Sequence, residues 1–418
     1  MEVKPGYKQT EVGVIPEDWV VKQLGEIATF LSGKSYESHI TEMGDYFLIT
    51  LDSLDINGKL KDDHKKVSYV DNPLSKDDIV MILSDVAHGN FLGLTDLIPE
   101  NSRYILNQRV GALKNPKGVI PKFLSSFINF HQDYFRTSGQ GSSQQNLSKN
   151  DILKFRVLVA PLPEQRAIAA ALSDVDTLLA ALEALIAKKR LIKQGTMQDL
   201  LTPPNAAGQA GQRRLPGFSG EWGTKTLGQL GNFSKGKGLP KNDLCTDGDI
   251  PAIPYTAIYT EFSEIIEYEC INDFTVSNES IFISEPHILI AGSSNMLENV
   301  GKATAYNDYR EVAIGGDIIL FKTEADVRFI SYLLNTQTHR KKIILLSQGS
   351  TIRHVYSSTF VNYEIGIPLL KEQQAIAEIL SDMDAEINAL EQRRAKTRLL
   401  KQGMMQELLT GRTRLVDN

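Results

Sequence analysis

The sequence predicts an α+β protein in which two mixed α/β units alternate with two long helices that pair as an antiparallel coiled coil, giving the chain a pseudo-two-fold internal repeat. Three observations carry this. Residues 162–202 recur at 370–410. Both copies place apolar residues at alternating spacings of three and four, the seam of a coiled coil. The stretches between them hold short β-branched runs separated by Gly-, Ser- and Asn-rich loops, which read as strands and turns.

Aligned without gaps, 162–202 and 370–410 agree at about 25 of 41 positions, at an offset of about 208 residues. Upstream, Gly139-Gln140-Gly141-Ser142 matches Ser347-Gln348-Gly349-Ser350 at the same offset, and Trp19, Leu24-Gly25, Phe30 and Gly33-Lys34 match Trp222, Leu227-Gly228, Phe233 and Gly236-Lys237. That second offset is about 203, so the later copy has gained about five residues in its middle. Each long segment leads to an Arg-Leu pair, Arg214-Leu215 and Arg414-Leu415, and the first is followed by a Pro-, Gly- and Ala-rich linker. The expected layout is a first unit at 1–157, a long helix at 158–202, a linker at 203–218, a second unit at 219–366, a second long helix at 367–410 and a tail at 411–418.

In the first helix the seam runs Ile168, Leu172, Val175, Leu179, Leu182 and Ile186, and in the second Ile376, Leu380, Met383, Ile387 and Leu390. Pro163 suits a first helical turn, and Glu164 and Glu372 complement the positive end of the helix dipole. Lys188, Lys189, Arg190 and Lys193, like Arg393, Arg394, Lys396, Arg398 and Lys401, read as dipole complement on a solvated face in preference to a phosphate-binding stripe. A helix of roughly 39 residues rises about 58 Å. Paired antiparallel, two such helices would act as a ruler between the units.

Within the units, runs at 78–83, 155–159, 280–283, 287–290 and 317–321 read as strands, with short helices near 121–130 and 327–334. Between their shared first and last motifs the units match poorly. Equal helices with unequal heads imply one scaffold carrying two binding specificities.

Composition excludes several classes. The 418 residues are 42% hydrophobic and 23% charged, with a net charge of −6, which excludes global disorder and a histone-like coat of positive charge. Cys245 and Cys270 do not make a disulfide framework or a zinc spacing. His39, His64, His88, His131, His287, His339 and His354 are scattered without paired-ligand spacing, so no metal site is expected. Ser32-Gly33-Lys34-Ser35 resembles the end of a P-loop, yet position 28 is Ala28 where that motif needs glycine. No nucleophile elbow and no Asn-Pro-Pro-aromatic methyltransferase signature is present. No apolar run reaches the length of a membrane span and the first residues lack a signal-peptide pattern, so a cytoplasmic binder without its own cofactor is expected.

The loops supply side chains suited to nucleic acid. In the first unit these are Lys34, then Arg103, Asn107, Gln108 and Arg109, then Ser142, Gln144, Gln145, Asn146 and Lys149. In the second they are Lys235, Lys237 and Lys241, then Ser293, Asn295 and Lys302, then Arg353, His354 and Tyr356. Arg, Asn and Gln make bidentate contacts with guanine or adenine edges, and Lys contacts phosphates.

The paired P-x-x-E-Q and L-x-x-E-Q segments, each running on through A-I-A, L-S-D-x-D and K-Q-G-x-M-Q-x-L-L-T, together with the Trp entrances and Arg-Leu exits, resemble the specificity subunit of type I restriction-modification systems. The resemblance spans both copies. It implies two target-recognition domains, each reading one half of a bipartite, asymmetric site in double-stranded DNA, with the helix pair setting the spacer. It also implies docking of two modification subunits, which use S-adenosylmethionine to methylate adenine, and of restriction subunits, which use ATP and Mg to cleave DNA. The chain itself is then no enzyme. The alternatives are the specificity subunit of a combined enzyme, with methylation and cleavage on one partner chain, and a coiled-coil protein adaptor without DNA binding.

Overall fold

Ile79–Ile82 is apolar at every position, so as a strand it needs cover on both faces. A computed structural model describes residues 4–69, 71–86, 90–141, 144–203, 214–276 and 279–416. The interior of the expected linker, 204–213, and the last two tail residues, 417–418, lie outside the described residues, as do Ser142 and His88. The chain divides into two compact units, Met1–Glu183 with Arg393–Asn418, and Ala184–Gln392.

In the first unit, Ile79–Ile82 lies inside an antiparallel sheet of order Thr29–Ser32, Val110–Lys114, Ile79–Ile82, Thr95–Leu97. Side chains alternate between the faces of a strand, and the core divides accordingly. Ile79 and Met81 pack with Phe123, Phe127 and Trp19, while Val80 and Ile82 pack with Ile49, Leu54 and Leu106. The helix Pro121–Phe130 begins on a proline, whose missing N–H costs nothing in a first turn, and turns Phe123, Leu124 and Phe127 inward.

The second unit repeats this arrangement with an added strand, in the order Gly231–Lys235, Ile318–Thr323, His287–Ala291, Ala303–Tyr306, Ile265–Ile266. Ile288 and Ile290 face Phe329, Ile330 and Leu333, while Leu289 and Ala291 face a separate cluster with Ile253, Ile314 and Leu320. Here the helix Val327–Asn335 is capped by Asp326, whose carboxylate accepts from the N–H groups of Arg328 and Phe329 at 2.9 and 3.2 Å.

The long helices are Leu162–Leu200 and Leu370–Leu408, 39 residues each. In both units they run antiparallel. Asp176 pairs with Lys401 at 2.6 Å and Glu183 with Arg398 at 2.7 Å in the first, and Lys189 pairs with Glu386 at 2.6 Å and Lys193 with Asp384 at 2.5 Å in the second, where Arg190 also meets Glu391. Five of the nine basic residues expected on a solvated face, Lys189, Arg190, Lys193, Arg398 and Lys401, therefore make cross-helix ion pairs. Lys193 departs furthest from that expectation: it is buried one heptad beyond Ile186, with its ammonium donating to Asp384 and to Glu264 at 2.7 Å, and Tyr332 donates to the same Asp384 at 2.6 Å.

Of the seam residues, Ile168, Leu172, Leu182, Ile186, Ile376, Leu380 and Ile387 are buried, and Val175, Leu179, Met383 and Leu390 are half-buried. Ile168 and Leu172 join the core of the first unit beside Trp19 and Leu408, and Ile376 and Leu380 join that of the second beside Leu200 and Leu201, so these starts of the seam are covered by the unit as well as by the other helix.

The repeated Glu-Gln at each helix start anchors this arrangement. Glu164 is fully buried and accepts from Trp19 Nε1 at 2.9 Å and from Arg414 in a two-pronged contact at 2.7 and 2.8 Å. Glu372 accepts Arg214 in the same way, at 2.9 and 2.8 Å. Gln165 bonds the Ile120 N–H and the Ala160 carbonyl, and Gln373 the Asp326 N–H and the Pro368 carbonyl, each stitching its helix to the loop before the short core helix. Removing one partner of such a buried pair costs about 3–5 kcal/mol, because the other charge is left buried alone. Arg414→Met is thus expected to destabilise the first unit by about 3 kcal/mol or more. Urea denaturation followed through Trp19 in a Trp222→Phe background checks this, with Glu164→Gln expected to restore part of the loss.

Candidate nucleic-acid interface

Two glycines place the first candidate side chains. A Cβ on Gly33 would run into the Asn107 carbonyl oxygen, and one on Gly236 into that of Gly315, so only glycine lets the chain cross the hairpin tip there. In the first unit, Gly33 N–H donates to Val110 at 3.0 Å, Lys34 N–H to Leu106 at 3.3 Å, and Asn107 N–H to Ile49 at 2.9 Å. In the second, Gly236 donates to Ile318 at 2.9 Å, Lys237 to Ile314 at 3.3 Å, and Gly315 to Ile253 at 3.0 Å. The two crossings are the same backbone motif. Tip residues 107–109 correspond to 315–317, and Lys34 corresponds to Lys237.

A short ladder continues from each tip. Leu83 N–H donates to the Arg109 carbonyl at 3.1 Å, and the Leu83 carbonyl accepts from Leu147 at 2.8 Å. Gly292 does the same between Asp317 and Val355, at 2.7 and 2.9 Å. Beyond these points Ser84–Val86 pairs with Gln144–Asn146, and Ser293–Ser294 with Arg353–His354. Each ladder closes on a tight loop, where Gln140 and Asn146, or Gln348 and His354, exchange backbone hydrogen bonds around a glycine with φ of 120° (Gly141) or 111° (Gly349). Crossing, tip and ladder thus form one continuous edge within each unit.

Most of the predicted residues sit on these edges. Gln108 and Arg109 are exposed at the first tip. Gln144, Gln145 and Asn146 line the ladder, with Asn146 Oδ1 accepting from Ser84 Oγ at 2.6 Å. Asn107 Oδ1 and Gln145 Oε1 are buried with no hydrogen-bond partner among the described residues, which leaves acceptors unused at the edge. Lys34 is held to Asp71 at 2.5 Å, and Tyr36 donates to the same carboxylate; the pairing raises the lysine pKa and lowers that of Asp71.

On the second edge, Lys235 pairs with Asp317 at 3.0 Å, and buried Ser293 donates to Asp317 at 3.3 Å. Lys237 is exposed. Arg353 donates to the Gly349 carbonyl at 2.8 Å, and His354 stacks with exposed Tyr356, their rings parallel to within 11°.

Other candidates are placed differently. Arg103 lies at the far end of the strand Tyr104–Leu106 from the tip, its guanidinium over the Phe47 ring. Lys149 opens the helix Lys149–Leu153, Lys241 opens a single helical turn, and Asn295 is exposed beyond the second ladder. Lys302 turns inward: its ammonium donates to the Phe262 carbonyl at 2.9 Å, and burial lowers its pKa. Sequence reasoning missed Asp71, Gly315, Gly316, Asp317 and Ile352. Carrying the 208-residue offset of the Gln-Gly-Ser landmark back to 107–109 would have found the second tip. Among the described residues, no group of three His, Cys, Asp or Glu side chains is placed to hold a metal ion, and no helix is long and apolar enough to cross a membrane.

Comparison with known proteins identifies the family. The family model described as the type I restriction modification DNA specificity domain matches twice, at residues 16–193 and 219–399. The MjaVIII type I restriction enzyme specificity subunit of Methanocaldococcus jannaschii is 21% identical over 412 residues, covering 96% of this chain and 94% of that one. The EcoKI specificity subunit of Escherichia coli is 32% identical over 117 residues, 28% of this chain and 25% of that one. Among solved structures, the S subunit of a type I restriction-modification system from M. genitalium shares the fold with a TM-score of 0.61 at 15% identity, covering 98% of both chains. A chain from a structure concerned with assembly and conformational transition of the type I system gives 0.55 at 16% identity, covering 96% of this chain and 99% of that one. The twofold family match, over most of the chain, makes it a member of the non-catalytic specificity subunits of type I restriction-modification systems.

Proposed function

We propose that each unit reads one half of a bipartite, asymmetric site in double-stranded DNA through its crossing, tip and ladder, and that the helix pair sets the spacer between the halves. The observation that carries this reading is one backbone frame built twice with unlike side chains: Asn107-Gln108-Arg109 stands where the second unit has Gly315-Gly316-Asp317, and Gln144-Gln145-Asn146 where it has Ile352-Arg353-His354. A site with unrelated halves needs two such unlike readers. Lysines at the crossings supply phosphate contacts, which position a reader without informing it, and the tips and ladders supply base contacts.

The helix pair also docks two modification subunits, and restriction subunits complete the complex. An exposed apolar pair recurs at the same place in each helix, Leu191-Ile192 at 69 and 44% exposure and Leu399-Leu400 at 68 and 59%. Apolar surface of this kind, duplicated in a repeat, suits two copies of one partner. S-adenosylmethionine belongs to the modification subunits, ATP and Mg to the restriction subunits, and this chain binds no cofactor of its own. The complex works in the cytoplasm.

Co-expression with the cognate modification subunit, followed by mapping of methylated adenines, is expected to return a split motif. A contiguous palindrome, or no motif in an active complex, overturns the reading. Lengthening both long helices equally is expected to lengthen the spacer and leave both half-sites unchanged. Leu191→Glu with Ile192→Glu is expected to remove one modification subunit from the complex, and Leu399→Glu with Leu400→Glu the other, as counted by native mass spectrometry.

A further inference from the structure

The corresponding edges differ in chemistry as well as in sequence. At the first tip, Gln108 and Arg109 are exposed, and Arg109 has no ion pair among the described residues. At the second, Gly316 has no side chain and Asp317 is engaged by Lys235 and Ser293. The chain's own packing does not require that glycine. A Cβ on Gly316 would meet its nearest neighbours, Gly238 O and N, at 3.6 and 3.9 Å, which is ordinary contact, and its φ lies outside the left-handed region. What the missing side chain provides is access to the backbone from outside.

The ladders diverge in the same sense. Gln144 and Ile352 occupy one position, since the carbonyl of each closes on the conserved loop glycine, Gly141 or Gly349. Gln144 offers an amide, whereas Ile352 is a 50% exposed aliphatic side chain on an otherwise polar edge. In the major groove the apolar feature is the thymine methyl, while amides and guanidinium groups match adenine and guanine edges.

We propose that the position pairs 108/316, 109/317 and 144/352 determine which bases each unit reads. The first unit reads by hydrogen bonds from Gln108, Arg109 and Gln144. The second brings the duplex against the bare backbone at Gly316 and reads a thymine through its methyl group with Ile352. This rests on the reading of both units as DNA readers.

The test uses the assembled complex with its modification subunits and duplexes carrying the mapped motif. Each thymine of the second half-site is replaced in turn by deoxyuridine, which deletes only the methyl. At one thymine the replacement is expected to weaken binding about fourfold, the worth of one buried carbon. Ile352→Gln is expected to abolish that sensitivity and Ile352→Val to retain it. In methylation mapping, Gln108→Ala and Arg109→Ala are expected to relax base preference about tenfold or more in the first half-site only. A second half-site with no thymine on either strand, uniform indifference to deoxyuridine, or sensitivity that persists in Ile352→Gln overturns the assignment to Ile352. First-half preferences unmoved by the tip variants overturn the assignment to Gln108 and Arg109. In both cases a split motif in the unaltered complex leaves the broader reading standing, whereas a continuous motif overturns both.

Discussion

A buried carboxylate at the first turn of each long helix is the constraint on which the remainder rests. Glu164 and Glu372 are withdrawn from water, and an unpaired charge there would be prohibitive. Arg414 and Arg214 each supply a planar two-pronged donor that satisfies both carboxylate oxygens. In each unit the arginine following one helix thus closes on the glutamate that begins the other, so charge holds the helix ends in register. In the first unit the same carboxylate also takes the indole N–H of Trp19, whereas in the second the Trp222 N–H is buried without a partner among the described residues. The first clamp is therefore the more completely satisfied of the two.

With the helices anchored, the two edges share a backbone plan but not their side chains. The backbone hydrogen bonds common to both units hold the crossing, the tip and the ladder, and the positions shared by the two are glycines, where space runs out. Gly33, Gly236, Gly141 and Gly349 are in this sense the frame, and Gln108, Arg109, Gln144, Ile352 and Arg353 its variable content.

The same division explains what the sequence revealed. The repeat, the seam, the Glu-Gln starts and the Arg-Leu exits are legible because both copies make the same contacts there. The correspondence of Gly315-Gly316-Asp317 with Asn107-Gln108-Arg109 is not, because those side chains share no chemistry and only the backbone pairs alike. Lys193 was misread as a solvated helix end because the heptad step from Ile186 lands on a charge, and its burial depends on Asp384 and Glu264, far away in sequence. Lys302 was read as a loop cation for a similar reason: the Phe262 carbonyl that receives it belongs to a distant segment.

The net charge of −6 takes on a different meaning once the acids are located. Glu164, Asp176, Glu183, Glu372, Asp384, Glu386 and Glu391 all pair with cations on or beside the long helices, so much of the negative charge is structural and is neutralised where it sits. Asp317, the one acid on the second tip, is matched by Lys235, and Asp71 beside the first crossing by Lys34. A mildly acidic chain is thus compatible with a tip and a crossing whose acids, Asp317 and Asp71, are each paired with a lysine. Affinity for a duplex depends on how many phosphates meet a cation and not on the sum over the chain, so the net charge by itself does not decide against nucleic acid.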